Sequence, residues 1–156
     1  MTDQRDGDGA GGSEESDRTA SGVRLAQLLA SELVARSDGP LANLELVDVQ
    51  DAESLDPDEF GERAYGVVAS GLAGDDDEQG GTVRLADVYA HDDRARVEFR
   101  AGLDAVPGAA QDADLRVRPK AVDPPRVLVF VEDGADVKRV LRVVTAALDG
   151  LDGEDT

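Results

Sequence analysis

The only histidine, His91, stands in the segment Tyr89-Ala90-His91-Asp92-Asp93. An imidazole among carboxylates is the arrangement of a general base or of a metal ligand. A transition-metal site needs further soft or imidazole donors, and the chain has no cysteine and no second histidine. No Gly-x-Ser-x-Gly elbow supplies a serine nucleophile. His91 therefore reads as a turn residue. Asp75, Asp77, Gln79 and Gly80 resemble the opening of a calcium loop, but its twelfth position, where a bidentate glutamate belongs, is Ala86. Gly7-x-Gly9-x-x-Gly12 matches a dinucleotide fingerprint as a string. That chemistry needs a strand before it and a helix after it, and a leader of glycine, serine and acid supplies neither.

Two constellations survive. At 100° per residue, Glu32 and Arg36 interrupt the apolar arc of a helix formed by Leu25, Leu28, Leu29 and Leu33. They stand four apart with the acid first, the favoured order for an intrahelical pair. A carboxylate drawn into a core could act as a catalytic acid; an ion pair with its stems on the core is the plainer reading. The second is a strand in which Arg94, Arg96, Glu98 and Arg100 alternate with Ala95, Val97 and Phe99, giving one charged and one apolar face. With Tyr89 close by, Arg94, Arg96 and Arg100 form a candidate interaction surface. Arg84, Arg116, Arg118, Lys120 and Arg126 are expected near it. No catalytic residue, metal ligand or cofactor site is assigned.

These residues need elements to position them. Ser21 can cap a helix over 21–36, and Gly39-Pro40 stops it. Strands are expected at 43–50, 65–70, 82–90, 94–100 and 126–131, with a short one near Leu115–Arg118. Asp56-Pro57-Asp58-Glu59 has the composition of one helical turn. Residues 101–114 read as a loop. Val137, Val140, Leu141, Val144 and Leu148 make the stripe of a closing helix over 136–148. Connections this short suit antiparallel pairing. The expectation is an α+β domain over 21–148, a mainly antiparallel sheet of about five strands with an N-terminal and a C-terminal helix on one face. Residues 1–20 and 149–156 have little to bury and read as disordered acidic ends.

Between residues 82 and 100 two registers keep Ala86 and Val88 on the face of Val97 and Phe99. With His91-Asp92 as the turn, Asp87 faces Arg96 and Tyr89 faces Arg94. With Asp92-Asp93 as the turn, Asp87 faces Glu98, a like-charge pair that destabilises. Charge favours the first register.

The 156 residues carry 35 acidic and 16 basic side chains, a net charge of −19, and only 3% are aromatic. Only Lys120 and Lys138 are lysines. Such a charge repels itself in dilute buffer and is screened in molar salt, which suits a salt-rich cell. Residues 1–81 hold 5 basic and 20 acidic residues, whereas residues 82–148 hold 11 of each. No apolar run reaches the roughly 18 residues of a membrane span, and the N-terminus has no apolar signal core. A cytoplasmic location is expected, with no membrane partner.

Val23-Arg24-Leu25-Ala26-Gln27-Leu28-Leu29-Ala30-Ser31-Glu32-Leu33 and the closing helix resemble small acidic proteins of halophilic archaea classed as domains of unknown function. The resemblance covers residues 21–148 and implies haloarchaeal origin, without activity or site residues. The leading expectation is a non-catalytic protein-binding or regulatory module. The alternatives are a small enzyme with a carboxylate site near Glu32 and a nucleic-acid-associated protein using the arginine face. Nucleic acid is not the expected partner, because the charged strand carries acids as well as bases.

Overall fold

The structure is a computed structural model that describes residues 21–35, 39–56, 60–70 and 82–154. Helix α1 spans Gly22–Leu33, capped by the Ser21 hydroxyl, which accepts from the Arg24 amide at 3.2 Å. A 3-10 turn at Pro40–Asn43 leads into β1, Leu44–Val47. Strands β2 (Glu62–Ala69), β3 (Val83–Ala90) and β4 (Ala95–Phe99) follow. Helix α2 (Val106–Asp112) precedes β5 (Val117–Lys120) and β6 (Arg126–Val131), and α3 (Gly134–Glu154) closes the chain. The β5–β6 connection contains a cis Asp123–Pro124 peptide.

The six strands form one antiparallel sheet in the order β1-β2-β3-β4-β6-β5. One face carries Ala86, Val88, Val97, Phe99, Val129 and Val131, and the helices bury Leu25, Leu29, Val140 and Val144 with them in a single core. Small aliphatic side chains dominate it, as the aromatic-poor composition requires. Among the described residues, Tyr65 and Phe99 are the aromatic hydrocarbon rings that the core buries. The Tyr65 hydroxyl donates to the Ala26 carbonyl of α1 at 2.7 Å, which satisfies the one polar atom of that ring.

Tyr65 reaches the core through a register shift between Arg63 and Tyr65. Strict alternation would place both on one face; the extra residue, Ala64, turns the strand over. A second shift lies between Val67 and Val68, where Ala86 and Arg84 take opposite faces with Leu85 between them. Both shifts blur the period-2 signal of β2 and β3.

Three expectations are corrected. Residues 101–114 are not a loop: a 3-10 turn at Leu103–Ala105 runs into α2. Pro107 suits a first helical turn, the apolar contacts of Val106 and Ala110 fix the segment on the core, and Asp114 at φ +62° ends it. The closing helix continues past Leu148 to Glu154, where Leu151 still packs on the core. The hairpin takes the Asp92-Asp93 turn: Ala90 pairs with Ala95, and the His91 amide donates to the Arg94 carbonyl at 2.7 Å. The six strands include the short one expected near Leu115–Arg118; β1 is shorter than the expected 43–50, and β2 starts earlier, at Glu62. Gly7–Gly12, the Asp75–Glu78 run, Arg36 and most of the 56–59 turn lie outside the described residues. A 3-10 turn stands at Ala52–Ser54, where the Asp51 carboxylate accepts from the Glu53 amide.

Candidate functional site: a charged lattice on the uncovered sheet face

Cross-strand register arranges the face opposite the helices in rows. Arg63, Tyr89, Arg96 and Phe130 stand side by side on β2, β3, β4 and β6. The next row is Gly66, Asp87, Glu98, Leu128 and Arg118. Beyond it lie Arg84, Arg100, Arg126 and Lys120, one cation from each of four adjacent strands or their ends.

The middle row contains the like-charge pair that pairwise logic disfavours. Asp87 and Glu98 face each other, each 1% exposed. Their diagonal neighbours resolve the conflict. Arg84 donates Nε and an Nη to Asp87 Oδ1 at 3.0 and 2.7 Å, and Arg100 donates to Oδ2 at 3.1 Å. Arg126 donates to Glu98 Oε1 at 2.9 Å, and Arg96 pairs with Oε2 at 2.8 Å. Arg63 stands 3.8 Å from Asp87, and Lys120 stands 3.8 Å from Glu98. A buried charge survives only when paired and hydrogen-bonded, and here every carboxylate oxygen has a cation. The hydrogen bond to Glu98 raises the Arg126 pKa further, so that guanidinium is fixed in its charged form.

Two local features shape the lattice. The Arg84 guanidinium lies across Gly66, where any β-carbon would meet it. Arg96 stacks on the Tyr89 ring at 4.3 Å and Arg94 on the Phe130 ring at 5.1 Å. The expected Tyr89–Arg94 stack is thus replaced by Tyr89–Arg96, as the one-step change of register demands. Arg96 also reaches the ring of His91 at 2.8 Å; His91 closes the hairpin turn, and its side chain is buried against Gly61.

The four candidate surface residues are therefore brought together: Tyr89, Arg96 and Arg100 share the face, and Arg94 joins it over Phe130. Sequence reasoning missed the anchoring role of Asp87 and Glu98. The signals were an acid in the middle of each apolar strand and a glycine inside a third. Glu32 is placed elsewhere, on the helical side, where it accepts from Lys138 of α3 at 3.2 Å. Among the described residues, no group of three or more His, Cys, Asp or Glu side chains could hold a metal ion, and no helix is long and apolar enough to cross a membrane.

No curated protein and no solved structure matches the chain. A family model does, over residues 15–156. That span takes in all six strands, both carboxylates and every cation of the lattice, so the chain belongs to DUF7993, a family of unknown function.

Proposed function

We propose that this protein is a non-catalytic protein-binding module, and that the uncovered sheet face is where its partner docks. One observation carries the reading: two buried carboxylates hold arginines from several strands in a fixed array whose outer edges reach the surface. Every oxygen of both acids is already held against a cation, which supports a positioning role for the pair over acid–base chemistry. The display is rigid, and arginine and tyrosine are the residues that most often dominate protein interfaces. The net charge of −19 and the scarcity of lysine support work in the salt-rich cytoplasm of a halophile, where long-range repulsion is screened and short contacts persist.

The test replaces cations that contribute least to the fold. Arg63→Gln, Arg118→Gln and Lys120→Gln are combined, folding is checked by circular dichroism, and partners are captured from a high-salt extract. The folded variant is expected to lose a partner that the wild type holds. Retention of every partner would show that the face is only solvated.

A further inference from the structure

The proposed docking face has a spacing that selects among anionic partners. The row Arg84, Arg100, Arg126 and Lys120 crosses β3, β4, β6 and β5, which are neighbours in the sheet. Strands lie about 4.8 Å apart, so the row spans about 14 Å. Side chains on one face of an extended peptide recur about every 6.8 Å. Three acids at alternate positions would therefore match the row end to end. Its members keep their outer edges in water, with side-chain exposures of 28%, 33%, 23% and 45% in that order. Resting on that docking reading, we infer that the partner segment is an extended acidic peptide, with carboxylates at alternating positions, lying across the strands over this row.

Charge and geometry argue against the other occupants. A second copy would bring the same cationic row against this one. A single-stranded nucleic acid would need open aromatic faces for its bases, but the Tyr89 and Phe130 rings are each covered by a guanidinium. A long polyanion also meets the repulsion of a chain at −19, whereas a short acidic segment adds few charges. Arginine forks pair with carboxylates in two-point geometry, which gives the row its specificity.

The experiment titrates a fluorescent peptide of alternating glutamate and glycine into the full chain and reads anisotropy. The controls are the matching glutamine–glycine peptide and an oligothymidylate of equal charge. The wild type is expected to bind the acidic peptide at least about tenfold more tightly than either control, a difference of roughly 1.4 kcal/mol. Lys120→Glu, at the most exposed end of the row, is expected to remain folded and lose about tenfold. Arg142→Glu, on the helical side of the molecule, is expected to leave binding unchanged. Equal or tighter binding of oligothymidylate, indifference to Lys120→Glu, or no binding of the acidic peptide would each overturn the inference. The docking reading falls separately, if the capture experiment finds every partner retained by the triple variant.

Discussion

Replacing Glu98 with glutamine removes one charge and changes almost no volume, so it isolates the electrostatic role of the lattice. Glu98 takes short contacts from Arg126 at 2.9 Å and Arg96 at 2.8 Å. Hydrogen bonds to a charged group contribute about 1.5–3 kcal/mol each. The amide keeps one acceptor oxygen, but its NH2 points a donor at a cation. Arg126 and Arg96 are 23% and 13% exposed and regain part of their hydration. The expected loss is about 3 kcal/mol, at the lower end of the ~3–5 kcal/mol for breaking a buried pair. For a chain of this length that lowers the melting midpoint by about 6–12 °C. Urea is the proper denaturant because it adds no salt, and the slope against urea is expected to stay constant. A double-mutant cycle with Arg126→Gln is expected to show coupling of about 1 kcal/mol or more, since the partners share one network. A loss under about 1 kcal/mol, the value of an exposed ion pair, would refute the claim that the carboxylates anchor this face.

Gly22→Ala is expected to destabilise the fold, although alanine improves most helix positions by about 0.5–1 kcal/mol. Its β-carbon would enter the carbonyls of His91 and Arg94, backbone atoms that cannot swing aside; a urea titration showing stabilisation would contradict that packing. Burial pushes the Tyr65 pKa well above its ordinary value. The folded state therefore holds that proton more tightly than the unfolded chain does. The resulting stability is complete below about pH 10 and falls above it by up to ~1.4 kcal/mol per pH unit. Tyr65→Phe is expected to flatten that alkaline slope while costing the hydrogen bond to Ala26. Circular dichroism melts are expected to show a higher midpoint in about 2 M KCl than in dilute buffer, because a Debye length near 3 Å screens the surplus acid. The Glu98→Gln penalty is expected to persist there, since buried pairs are screened less than exposed ones.

The two long helices were legible because each carries its own signal. Ser21 caps α1, and apolar stripes mark the inward faces of α1 and α3. Strand β6 was legible as a run of Val, Leu and Phe introduced by Pro124-Pro125. Helix α2 was not, because its alanines and Gly108 show no apolar stripe; what holds it is the contact of Val106 and Ala110 with residues distant in sequence. The hairpin register misled for a related reason. Weighing β3 against β4 alone leaves Asp87 and Glu98 as two repelling acids. The cation that rescues Glu98 from the far side, Arg126, comes from β6, and its position depends on a strand order that local pattern does not encode. Gly66 was the readable clue, since a glycine within a strand marks the close approach of another group, here the Arg84 guanidinium.

The docking claim is tested most directly by arginine footprinting with a dicarbonyl reagent, read by mass spectrometry, on the purified protein and in a native extract at the same high salt. Arg84, Arg100 and Arg126 are expected to lose reactivity in the extract, while Arg139 and Arg142 on α3 keep theirs. Protection of the helical arginines with the sheet arginines unchanged would place the partner on the opposite side of the molecule and contradict the account.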